Sequence, residues 1–120
     1  MHLTWPEIVY SIRDKRLADA NDPFASAFAS VEELASFIAA GPLNPVLFGW
    51  TSMFDLCVQQ TAVEPGSGPY LRVGPLHSGQ VGFRYVDTLI PAKQWQREVA
   101  PDAVVERLMR FMDQLGWARS

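Results

Sequence analysis

The residues with intrinsic reactivity are few and scattered. The chain holds one cysteine, Cys57, and two histidines, His2 and His77. A thiolate nucleophile needs a basic neighbour to lower its pKa. Cys57 has none in sequence and reads as a small buried hydrophobe. A Cys57–His77 nucleophile pair is conceivable if their strands are neighbours, but no oxyanion donor or helix N-terminus supports it. His77 sits in a Gly-Pro-Ser loop beside Ser78. A catalytic serine is recognised by a positioned base and a third orienting group, and adjacency supplies neither. His77 therefore reads as an exposed loop histidine. One cysteine and two widely spaced histidines fall short of a zinc site. No glycine-rich phosphate loop is present, so neither a metal nor a cofactor is expected.

Two polar groupings remain as binding candidates. The first follows from strand alternation. Met53, Asp55, Cys57 and Gln59 would project from one face of a strand, with Arg72 and Arg84 beside them on the next two strands. Tyr70 and Val86 would accompany them. Arginine among aromatic and apolar groups is a common composition for protein-recognition surfaces. The simpler reading of the same face is a solvated one, with Asp55 paired to one arginine. The second grouping is Arg84, Asp87, Trp95 and Arg97. An arginine can grip a carboxylate or phosphate through two parallel hydrogen bonds, so these residues are a candidate anion pocket. The simpler reading is an Arg–Asp bridge that pins the strand-to-helix connection, with Trp95 as a plug.

The elements that must position these groups are legible to different degrees. Thr4-Trp5-Pro6-Glu7 carries a capping box with proline in the first turn. Trp5, Ile8, Val9, Ile12 and Leu17 then share one helical face, and the helix should end near Ala18, before Asn21-Asp22-Pro23. Asp22-Pro23 can start a short helical turn carrying Phe24 and Phe28. Ser30-Val31-Glu32-Glu33 is a second capping-box pattern, with Val31, Leu34, Phe37 and Ile38 as the buried stripe and Gly41-Pro42 as the stop. From Pro45 the period changes to two. Val46, Phe48, Trp50, Phe54, Leu56 and Val58 alternate as one long strand, bent near Gly49 or Thr51-Ser52. A helix from Ser52 to Gln60 is the rival reading. Glu64 to Pro69 is a loop by composition. Tyr70 to Val73 and Val81 to Val86 read as strands, and Pro91 to Val99 as irregular. Pro101-Asp102 opens a last helix lined by Val104, Val105, Leu108, Phe111, Met112 and Leu115. Gly116 and Trp117 complete a Schellman-type end. Of the four tryptophans, Trp50 and Trp117 fall on core patterns, while Trp5 and Trp95 are expected to be partly exposed.

The expected fold is therefore a single α+β domain over residues 1–120. Two N-terminal helices precede a three-stranded antiparallel meander, and a C-terminal helix packs on one sheet face to give two layers. In architecture alone this order is similar to small bacterial partner proteins, such as secretion chaperones and toxin-immunity proteins.

Composition narrows the function. Hydrophobic residues make up 48% and charged residues 19%, which is ordinary for a chain able to bury a core. Ten basic and thirteen acidic residues give a formal net charge of -3, with the signs interleaved. Arg13, Lys15 and Arg16 are broken up by Asp14 and Asp19, so no basic stripe exists to displace phosphate counterions, and nucleic acid is not an expected partner. The mainly apolar window from Val46 to Val58 is too short and too polar to span a bilayer. Met1-His2-Leu3-Thr4 begins no signal peptide, and a lone cysteine fits a reducing compartment, so the expected location is the cytoplasm. The expected function is a non-enzymatic protein-binding module using an open sheet face, by way of a protein partner or self-association. The alternative is a small-molecule binder or modest enzyme with a pocket between sheet and helices, with Asp55, His77, Arg84 and Tyr85 as its residues of interest.

Overall fold

Helix α1 spans Trp5–Asp19, and its start is set by Thr4, whose Oγ1 accepts from the Glu7 amide at 3.3 Å. The computed structural model describes residues 3–19, 24–52, 55–60, 69–76, 78–87 and 90–117. Ile8 and Ile12 are buried, and so is Trp5, whose indole N–H donates to the Leu47 carbonyl at 3.0 Å. Trp5 thus belongs to the core instead of standing half exposed, because its one polar atom finds a buried acceptor. Leu17, expected on the buried face, is 70% exposed. Five residues beyond Ile12, it falls well round the helix from the buried stripe.

Helix α2 spans Phe24–Ala40 and is continuous through Ser30. The expected cap at Ser30 is absent. Its hydroxyl bonds back to the Ser26 carbonyl at 3.3 Å, a mid-helix arrangement for serine. Ala27, Phe28, Val31, Leu34, Ala35 and Ile38 form the buried stripe. Phe37 is 37% exposed and stands at its margin. Arg13 and Arg16 of α1 both reach Glu32 of α2, at 3.4 and 2.8 Å. Asn44 Nδ2 then donates to the Ala39 carbonyl and closes the end of α2.

The sheet has five strands where three were expected. They are β1 (Phe48–Ser52), β2 (Asp55–Gln59), β3 (Tyr70–Pro75), β4 (Val81–Val86) and β5 (Trp95–Val99), all antiparallel, in the order β1-β2-β3-β4-β5. Two corrections produce this count. The long alternating run is a hairpin, with Ser52 opposite Asp55 and Phe48 opposite Gln59. The segment expected to be irregular contains a 3-10 turn, Pro91–Lys93, and then β5. The span Asp55–Gln59 is strand, so the helical reading of that segment falls. Met53 and Phe54 lie outside the described residues, as do the Asp22-Pro23 turn and His77.

Residues directly opposite in an antiparallel pair project to the same side. One side of the sheet therefore carries the rungs Gly49–Val58–Leu71–Tyr85–Trp95 and Thr51–Leu56–Val73–Phe83–Arg97. This side packs against the helices, and Leu56, Val58, Leu71, Val73 and Phe83 on it are fully buried. Gly49 is where α1 lies closest. A Cβ there would stand 2.9 Å from the Trp5 ring and 3.0 Å from Ile8 Cδ1. Helix α3 (Val104–Leu115) buries Val104, Leu108, Phe111 and Met112. Its end has both Schellman bonds, Trp117 N to Met112 O and Gly116 N to Asp113 O, with Gly116 at φ 73°. Trp117 is buried, as its pattern predicts. No helix among the described residues is long and apolar enough to cross a membrane.

Candidate functional site on the second sheet face

The side of the sheet away from the helices is built from three rungs of different chemistry. The central rung reads Trp50–Cys57–Arg72–Arg84–Gln96, each residue directly opposite the next. On one side of it lies a rung of Ser52 opposite Asp55, then Gly74 opposite Gly82, then Gly82 opposite Glu98. On the other side, Phe48 faces Gln59 and Tyr70 faces Val86. Asp55, Cys57, Gln59, Arg72 and Arg84 thus share one face, with Tyr70 and Val86 beside them.

That face is open over one half only. Towards β1 and β2, Cys57 and Gln59 are fully buried, and the Trp50 and Tyr70 rings close on each other at 5.2 Å. Gln59 is thereby removed from the accessible surface. Burial pushes the Cys57 thiol up to about 12, against a smaller downward pull from Arg72. The thiol stays protonated at neutral pH and is no nucleophile.

Towards β3, β4 and β5 the face forms a solvent-open groove of about 710 Å³. Asp55, Arg72, Ser78, Arg84, Gln96 and Glu98 line it. Gly74 and Gly82 face each other without side chains of their own, and Leu76 lies over Gly82. The Asp55 carboxylate folds into the space over Gly74, where a Cβ would collide with it. It is held there by an ion pair with Arg72 Nε, both side chains 28% exposed, and Arg72 Nη2 also reaches Ser52 Oγ at 3.3 Å. The Arg72 guanidinium is pushed further up, first by its hydrogen bond to Asp55.

Arg84 is the unusual member. It is exposed and lies directly opposite Arg72. Among the described residues its side chain makes no hydrogen bond and no ion pair. Like charges directly opposite on a sheet repel, and Asp55 is already committed to Arg72. The chain matches no family model, no curated protein and no solved structure. The chemistry of the groove rests on its own geometry: a fixed cation with free donors, beside an amide and a carboxylate.

The second grouping comes together only in part: Arg84 and Arg97 line the groove, while Asp87 and Trp95 do not. Arg84 and Trp95 lie on opposite sides of the sheet, on neighbouring rungs. Trp95 packs under α3 against Phe111 at 4.8 Å and stacks on Tyr85 at 5.8 Å, while Arg97 sits over it at 5.4 Å. Asp87 is buried and shapes the turn after β4, accepting from the Ile90 amide at 2.9 Å, while its own amide donates to Gln94 Oε1. Tyr85 is held above its ordinary pKa by burial, then by Asp87.

Ser78, Gln96 and Glu98 are groove residues that sequence reasoning missed. The last two depend on recognising β5. The available signal was Trp95 and Val99 with Arg97 between them, a strand period at an edge bounded by Pro91 and Pro101.

Proposed function

We propose that this protein is a non-enzymatic binding module that holds a protein partner on the open half of its sheet. The observation that carries this reading is Arg84. Its guanidinium stands on an interior strand, opposite a second arginine and without a hydrogen-bond or ion-pair partner among the described residues. It is suited to an anionic group brought from outside, through charge-assisted hydrogen bonds. The groove around it is open to solvent, and its lining mixes charged and amide side chains with Pro75 and Leu76.

The test is native mass spectrometry on the protein purified gently from its own cells. A second polypeptide, or a dimer, is expected. Arg84→Glu should remove it while the circular dichroism spectrum and melting temperature stay unchanged. Full retention of the partner in both Arg84→Glu and Arg72→Glu would overturn the reading. One observation favours a second reading, a small anionic molecule: the groove volume lies within the range of about 300–1,000 Å³ usual for such ligands. In that case a monomer would carry a small retained mass.

A further inference from the structure

Strand β5 is the last of the five, and its outer edge pairs with no strand among the described residues. The opposite edge is different, because Leu3 bridges to Gly49 with its amide on the Gly49 carbonyl at 3.0 Å. Gln96, Arg97 and Glu98 are exposed along β5. Charged residues at an edge are a familiar protection against unwanted pairing, and they account for Arg97 and Glu98. They do not account for Arg84, one strand further in. The groove rungs run straight to this edge: Arg72–Arg84–Gln96 ends in an amide, and Gly74–Gly82–Glu98 ends in a carboxylate.

We propose that the groove takes an extended segment of its partner, added as a sixth strand along β5. Such a segment carries an acidic side chain on the Arg84 rung and a basic one, two residues away, on the Glu98 rung. This rests on the binding-module reading above and specifies its ligand. The spacing fits. A sixth strand would run about 10 Å from the Arg84 backbone, two inter-strand distances away, within the joint reach of an arginine and a glutamate across Gln96. Same-face residues of the added strand are about 7 Å apart, the separation of the two rungs. Asp55 and Leu76 fill the space over the glycine pair, so a lysine entering on the second rung meets the Glu98 carboxylate at the edge. Main-chain bonds to β5 would supply affinity, and the alternating charges would fix register and direction.

The probe is a fluorescein-labelled peptide, acetyl-Thr-Glu-Val-Lys-Val-Glu-Thr-amide, followed by fluorescence anisotropy with the full chain. Three competitors accompany it: the same peptide with glutamine at every charged position, the same peptide N-methylated at alternate residues, and free glutamate. Binding is expected to weaken at least tenfold with the glutamine or N-methylated peptide. A similar loss is expected with Arg84→Glu, an exposed position whose change leaves the core untouched. Amide NMR shifts should centre on Gln96 to Glu98. If binding needs Arg84 but ignores N-methylation, or if free glutamate competes equally well, strand addition is overturned and the groove reading stands. No binding at millimolar peptide also overturns the strand proposal. The groove reading is then judged separately, by whether Arg84→Glu loses the cellular partner.

Discussion

Raising the pH from 8 to 10 should cost this protein stability through one buried thiol. Cys57 lies in the middle of β2, has no exposed surface, and titrates near 12 in the folded chain against an ordinary value of 9.0. A thiol with a raised folded-state pKa contributes its full stability below pH 9. That contribution is lost as pH climbs from 9 towards 12, because the unfolded chain releases a proton that the folded chain retains. At pH 8 about a tenth of unfolded chains carry the thiolate, and at pH 10 about ten in eleven do, while the native thiol stays almost wholly protonated. The difference is about 1.4 kcal/mol. Urea unfolding of the natural chain and of Cys57→Ala at both pH values isolates it. Tyr85, also held up by burial, titrates alike in both proteins and cancels. The advantage of the natural chain over the variant should shrink by about 1.4 kcal/mol between the two pH values. An advantage that stays constant would refute the reasoning, since it would mean that the thiol ionises as readily inside the sheet as in water.

Two glycine substitutions test the packing argument by different means. Gly49→Ala should destabilise by about 1–3 kcal/mol, since its methyl would press on Trp5, Ile8 and the Cys57 carbonyl. Urea unfolding would register the loss, and the change in tryptophan emission relative to a Trp5→Phe background the altered packing at Trp5. Gly116→Ala meets nothing within 4 Å, yet holds φ at 73°, so it should cost about 1 kcal/mol from backbone conformation alone. Gly116→Asn should recover part of that loss in thermal melts.

The helices were legible because their signals are local. Thr4 caps, Ile8 and Ile12 repeat on one face, and Gly116 ends α3 in the left-handed conformation that only its position demands. The hairpin was not, and the reason is parity. Ser52 pairs with Asp55, so even-numbered residues of β1 share a side with odd-numbered residues of β2. Apolar residues at 48, 50, 56 and 58 look like one face of one strand. The turn sends Phe48 and Trp50 to the side away from the helices and Leu56 and Val58 to the core. Small Gly49 and Thr51 take the helix side instead, where α1 comes closest. Strand β5 leaves a weak sequence signal because an edge strand buries little: Val99 packs, Trp95 is half-buried, and the three residues between them are polar. The candidate site was legible only in part. Asp55, Arg72 and Arg84 follow from alternation alone. The glycine pair, Gln96 and Glu98 appear only once register is known, and register is a property of pairs of strands.

The order of elements also has a consequence for biosynthesis. Every sheet neighbour is a chain neighbour, so the strands can join by successive hairpins without a crossover. Helix α2, however, buries Phe28, Val31, Leu34 and Ile38 against a sheet whose central strands end at Val86, 46 residues beyond Ala40. At about 5–20 residues per second, a ribosome needs roughly 2–9 s to deliver them. Helices form in about a microsecond. The newborn α1–α2 pair therefore waits for seconds with its apolar stripe uncovered, a natural client for a chaperone at the ribosome exit. The aggregation hazard of this chain lies in that interval, before its sheet exists.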